Sequence, residues 1–237
     1  MPLDRQPTPS PAFSVSRYRR LFPPSKPPRG TRRGAHFTHQ IALQFSFPMK
    51  LYAEKTPLEG VLVLSHEIFE DERGFFVEVF RADEYEKLGL PGRFLQENHS
   101  RSKRGVIRGL HFQWNQPMAK LMRVTYGSAF LVAVDIRQGS PTLGRWFGTE
   151  ISAQNKKQLW APPGFARGFY VLSDFAELQY KCTAVYNPQG EGTIRWNDPA
   201  IGIDWPVSDP VLSHKDSQAG SFADWLNSPQ AATFRYP

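Results

Sequence analysis

The chain has 237 residues, 40% of them hydrophobic and 14% aromatic, with one cysteine and a formal charge of +7. That size suits one large domain or one domain with a tail, and the lone Cys182 excludes an internal disulfide or a thiolate metal cluster and fits a reducing, cytoplasmic setting. No apolar run reaches the ~18 residues of a membrane helix, and no signal-peptide core follows Met1.

The charge sits almost entirely at the start. Residues 1–48 carry eight basic side chains (Arg5, Arg17, Arg19, Arg20, Lys26, Arg29, Arg32, Arg33) against one acid, Asp4, together with nine of the 21 prolines. Such a segment has too little apolar surface to offset its ordering entropy and is expected to be disordered. A targeting peptide, a regulatory tail and an upstream extension of a frame that starts at Met49 are the readings it leaves open. Residues 49–237 are neutral overall, so the body offers no basic footprint for a nucleic acid. It is expected to fold and to act without the tail.

From Val61 onward short apolar or alternating runs recur: VLVL at 61–64, FFVEVF at 75–80, LMRVTYG at 121–127 and FLVAVDI at 130–136. GTEIS, QLWAP, GFYVL and ELQYKC follow, with Gly, Pro, Asn or Asp between most of them. This spacing predicts an antiparallel all-β sandwich or barrel. Only Ala82 to Leu90 reads as a clear helix, stopped by Pro91 and Gly92. The last third is turn-rich, with Trp196 and Trp205 as its tethers.

Within that frame two groups of residues can carry chemistry. His111 closes the R-G-L-H run, with Arg108 three residues earlier and Lys120 opening the run KLMRV. Cations on either side favour neutral imidazole, the form a general base needs, although a lone histidine is more often structural. The second group is Tyr180, Tyr186 and Asp216. On one continuous strand Tyr180 and Tyr186 would face the same side, either as core residues or as a proton-delivering phenol and a ring that stacks on a ligand.

The segments DERGFFVEVF, QENHSRSKRGVIRGLHFQ, AVDIRQGSPTLGRW, NKKQLWAPPGFARGF and WNDPAIGIDWP resemble the dTDP-4-dehydrorhamnose 3,5-epimerase family over roughly Leu58 to Asp216. The resemblance implies a cupin-like jelly roll with short peripheral helices. It further implies a homodimer that uses neither metal nor cofactor and acts on a dTDP-linked 4-keto-6-deoxyhexose. Carried over by motif, His111 is the proton acceptor, Tyr180 the proton donor, Asp216 the carboxylate that orients the histidine, and Lys120 the cation near the keto oxygen. Arg73, Glu78, Gln96, Asn98, Arg108, Glu191 and Lys215 resemble substrate-binding positions, and Tyr186 the aromatic that stacks on thymine.

Two positions depart from the family pattern. Arg167 stands in GFARGF where the family has histidine, and Met118 stands where it tends to have glutamine. Arg167 is expected to face the diphosphate and add a charge-assisted contact. Three rival readings remain. A metal-dependent cupin would want H-x-H spacing, which His111 lacks. An enzyme that inverts one carbon only, or moves the keto group, could use the same histidine and tyrosine. A binding module without turnover would not require a base, an acid and an orienting carboxylate together.

Overall fold

Where the sequence alternates, the backbone is extended and finds partners. The computed structural model of the protein describes residues 50–237, and the expectations for the tail and for Met49 lie outside them. Thirteen strands run β1 (Leu51–Lys55), β2 (Leu62–His66), β3 (Phe69–Asp71), β4 (Gly74–Phe76), β5 (Gln96–Lys103), β6 (Ile107–Gln113), β7 (Lys120–Tyr126), β8 (Ser128–Asp135), β9 (Trp146–Ser152), β10 (Gln158–Ala161), β11 (Phe165–Val171), β12 (Phe175–Cys182) and β13 (Glu191–Thr193). Three short helices are α1 (Ala82–Lys87), α2 (His214–Ser217) and α3 (Phe222–Asn227). A six-stranded sheet in the order β1-β2-β10-β7-β12-β5 and a five-stranded sheet in the order β13-β6-β11-β8-β9 form the sandwich, and β3 and β4 make a separate hairpin. The expected all-β jelly roll is the architecture found. Among the described residues no helix is long and apolar enough to cross a membrane.

The period of two decides what lies between the sheets. On β12, Ala176 and Leu178 are buried in the same core as Met122 and Val124 of β7, opposite Leu131 and Ala133 of β8 and Phe165, Phe169 and Val171 of β11. Continuing the alternation, Tyr180 and Cys182 on β12, Lys120 on β7 and Arg167 on β11 turn toward the same space. The interior therefore has an apolar half and a polar half. A second core covers the outer face of the five-stranded sheet. Ile107, Leu110 and Phe112 of β6 and Val132 and Val134 of β8 meet Trp205, Phe222, Trp225 and Phe234 from the C-terminal third.

Differences from the sequence reading have local causes. The run 75–80 was expected to be a strand, but β4 stops at Phe76, because its partner β3 is three residues long. Beyond it the Val79 carbonyl accepts from Tyr85 Oη at 3.1 Å and Gln158 Nε2 at 2.7 Å. α1 ends at Lys87, two residues before Gly89 at φ +73°. The turn-rich end carries α2 and α3, the latter closed by a capping box between Ser221 and Asp224. Trp205 does tether it, its indole N–H donating to the Trp196 carbonyl at 2.8 Å.

At one point β6 and β11 approach closely. A Cβ on Gly109 would lie 2.6 Å from the Gly168 Cα, and Gly109 has φ +133°, so only glycine fits there. These glycines adjoin Arg108 and Arg167.

His66 on β2 links fold and pH. Its Nε2 lies 3.2 Å from Tyr85 Oη, and burial, followed by the Arg123 charge, pushes its pKa down from 6.5 to about 4. Between those values the unfolded chain binds the extra proton and the folded one does not, so stability falls as pH drops from 6.5 to 4. His66→Gln, which cannot take that proton, should flatten the decline of Tm over this range. An unchanged slope would assign the acid sensitivity to other groups.

Candidate active site

The polar half of the interior gathers most of the residues singled out from sequence. His111 lies on β6 between Arg167 of β11 and Thr193 of β13 in register. Tyr180 lies on β12, in the other sheet, paired with Asn98 of β5 and Met122 of β7. The imidazole and the phenol thus come from opposite sheets of the sandwich.

His111 Nε2 is 2.6 Å from Asp216 Oδ1. Asp216 sits on the single turn of α2, whose N-cap Ser213 Oγ accepts from the Asp216 N–H at 3.1 Å, and the carboxylate is almost fully buried. Burial alone would raise that carboxyl. The hydrogen bond and charge of His111, with help from Ser213 and Lys215, outweigh burial and hold it below its ordinary value. The ionised carboxylate accepts Nε2–H, which leaves Nδ1 as the basic nitrogen.

Lys120 Nζ lies 5.0 Å from the centre of the Tyr180 ring, over its face. Burial, followed by the charge of Arg167, pushes Lys120 down from 10.5 to about 8. Burial, followed by Cys182, raises the Tyr180 phenol, with Asn98 and Arg108 acting against the shift. Gln96 Nε2 donates to Asn98 Oδ1 at 3.0 Å, and Gln96 Oε1 accepts the Tyr186 N–H at 2.7 Å. Tyr186 Oη donates to Glu191 Oε2 at 2.7 Å, and Lys215 Nζ pairs with the same oxygen at 2.5 Å. Arg108 Nε donates to Ser102 Oγ at 3.0 Å.

Several expectations need correction. Arg167 does not stand where an incoming diphosphate could meet it from solvent. It is 4% exposed and points into the sandwich, and its Nη1 donates to the Met118 carbonyl at 2.8 Å. The parity argument for Tyr186 fails, since β12 ends at Cys182 and Tyr186 is exposed beyond it. Arg108 and Lys120 do not flank the imidazole in contact: their partners are Ser102 and the Tyr180 ring. Arg73 and Glu78 have no contact with the cluster within this chain. Arg73 is exposed on the β3–β4 turn and held by Asp71, and Glu78 pairs with Arg81 at 3.6 Å. The sequence reading missed Cys182, opposite Lys120 in register, and Ser102; the i, i+2 spacing of Tyr180 and Cys182 was the available signal. Among the described residues no three His, Cys, Asp or Glu side chains are grouped to hold a metal ion.

Comparison with known proteins decides the family. The dTDP-4-dehydrorhamnose 3,5-epimerase profile matches residues 55–224. The chain belongs to the dTDP-4-dehydrorhamnose 3,5-epimerase family. It is 50% identical to the Pseudomonas aeruginosa dTDP-4-dehydrorhamnose 3,5-epimerase over 174 residues, 73% of this chain and 96% of that one. It is 52% identical to the Salmonella typhimurium dTDP-4-dehydrorhamnose 3,5-epimerase over 168 residues, 70% of this chain and 92% of that one. The crystal structure of the Legionella pneumophila dTDP-6-deoxy-D-glucose-3,5-epimerase in complex with dTDP-4-keto-L-rhamnose is similar to it with a TM-score of 0.75. The two share 46% identity, over 79% of this chain and all of the other. As a member of this family the chain is an isomerase with the jelly-roll fold of its relatives.

Proposed function

We propose that the chain inverts C3 and C5 of dTDP-4-dehydro-6-deoxy-D-glucose to give dTDP-4-dehydro-L-rhamnose, by proton transfer within the polar half of the sandwich. The observation that carries this reading is His111 on one sheet, held by Asp216 of α2, with Tyr180 on the sheet opposite. A proton beside a ketone leaves when a base stands at one face of the carbon and charge on the oxygen is stabilised. His111 Nδ1 takes the proton, the C–H pair becomes the enolate double bond, and Tyr180 delivers a proton to the other face. Inversion requires that opposition. Lys120 lies near enough to Tyr180 to serve the 4-oxygen.

Around this centre Gln96, Asn98, Arg108, Glu191 and Lys215 supply polar contacts for sugar and diphosphate, and the exposed ring of Tyr186 can stack on the base. None of these steps calls on a metal or a cofactor. The chain acts as a homodimer in this proposal. Its support is the apolar surface of Phe69 and Phe75, exposed on the β3–β4 hairpin, whose turn also carries Arg73.

The test is turnover of the keto sugar nucleotide in deuterium oxide, read by NMR position by position. Deuterium at both C3 and C5, with formation of the L-rhamno product, is expected. Incorporation at one carbon alone would make the protein a single-centre epimerase, and binding without incorporation would make it a non-catalytic module.

A further inference from the structure

Lys120, half-buried, and Arg167, buried, are two cations on facing sheets turned toward the space between them. Among the described residues neither has a carboxylate within ion-pair distance. Buried charges are ordinarily paired, because the interior solvates them poorly. Arg167 is also fixed in place. Its Nη1 is tied to the carbonyl of Met118, two residues before Lys120, while its Nε is buried without a partner. A substrate atom cannot reach that Nε without rearrangement. The guanidinium is therefore anchored to the strand segment that carries Lys120.

We propose, on the epimerase reading above, that Arg167 is a positioning residue whose charge adds to the burial of Lys120 to make that lysine a proton donor to the substrate's 4-oxygen instead of a standing cation. As His111 removes the carbon-bound proton, the carbonyl electron pair moves onto the 4-oxygen. A proton from Lys120 Nζ joins that pair, leaving an enol and a neutral amine. When Tyr180 delivers a proton to the carbon, the enol O–H bond breaks and its proton returns to Lys120. No charge accumulates on the oxygen, and nothing outside the site is consumed.

The groups facing Lys120 fit this assignment. Arg167 on β11 and Lys215 on α2 repel its proton, whereas Glu191 on β13 and Cys182 on β12 favour it. Tyr180 on β12 presents its ring face. Glu191 is already engaged by Lys215 and Tyr186, and burial raises the Cys182 thiol, with Lys120 and Arg167 acting against that shift. Burial first, and the Arg167 charge after it, lower the Lys120 amine to about 8. An amine whose pKa lies nearer neutral pH gives its proton to the developing enolate oxygen more readily than an ordinary lysine near 10.4.

The deciding measurement is competitive labelling of the full chain with acetic anhydride across pH, with Lys120 read by mass spectrometry. Half-maximal reactivity near pH 8 is expected in the native protein. Arg167→Gln should move it upward by roughly one unit or more, while Arg167→Lys, which restores the charge, should keep it low. The alkaline limb of kcat should move upward with it in Arg167→Gln, with KM little changed. An ordinary lysine titration in the native chain, or an unmoved one in Arg167→Gln, overturns the proposal. The native measurement decides even if the glutamine variant fails to fold. Labelling uses no substrate, so it can fail while epimerisation stands. Absence of deuterium exchange by the native chain overturns the epimerase reading, and the role of Arg167 with it.

Discussion

His111→Ala should abolish both solvent exchange and product formation, with a loss of at least ~10³-fold, because without the base the carbon–hydrogen bond is never broken. Deuterium incorporation and epimer yield, followed in one NMR experiment, should fall together to background. The dependence on Asp216 sharpens the expectation. Its carboxylate, 2.6 Å from Nε2, fixes the tautomer that presents Nδ1 and stabilises the imidazolium formed on proton capture. Asp216→Asn should therefore reduce the rate by ~10²–10⁴-fold with the fold retained, by analogy with other His–carboxylate pairs. Normal turnover in His111→Ala would remove the assignment altogether.

Tyr180→Phe should separate two events that His111→Ala removes together. Without the phenol, His111 can still take a proton and return one to the same face, so exchange continues while inversion drops by ~10²-fold or more at one carbon at least. The ring that lies under Lys120 is kept in phenylalanine, so packing in this part of the cavity should change little. The readout is the ratio of deuterium incorporated to epimer formed, which should rise well above the native ratio. A ratio equal to native, with both rates reduced alike, would mean that Tyr180 assists bond breaking and is no simple donor.

How much of this could be read from the chain depends on which interactions are local. Alternation marked β12 because it buries one face in the core, and burial on a pleated strand writes itself as a period of two, whereas β8 shows as a continuous apolar run because it buries both faces. β5, QENHSRSK, carries no such mark. It is an edge strand whose inward residues are the polar Gln96, Asn98, Ser100 and Ser102, so hydrophobic pattern cannot reveal it. For the site, motif resemblance pointed to His111, Asp216, Tyr180 and Lys120, which the fold brings into the same region. Residue type alone misplaced Arg167. An arginine among glycines suggests phosphate, whereas its odd parity on β11 sends it inward beside Phe165 and Phe169. Whether a cation meets solvent or another cation is a property of the tertiary register, which no single segment contains.

The contact between Gly109 and Gly168 has a consequence for how such a site can vary over evolutionary time. With no room for even one methyl group at that crossing, the separation of the two backbones is set by bare main chain. Arg108 and Arg167 leave the backbone right beside it, and His111 two residues on. Their placement is thus buffered against drift elsewhere in the sheets, much as a machine part is located by a hard stop and not by an adjustable screw. Change in preference among related sugar nucleotides must then come from the identities of the projecting side chains, as at Arg167 itself, and from the loops around the opening. The crossing offers no gradual path of its own.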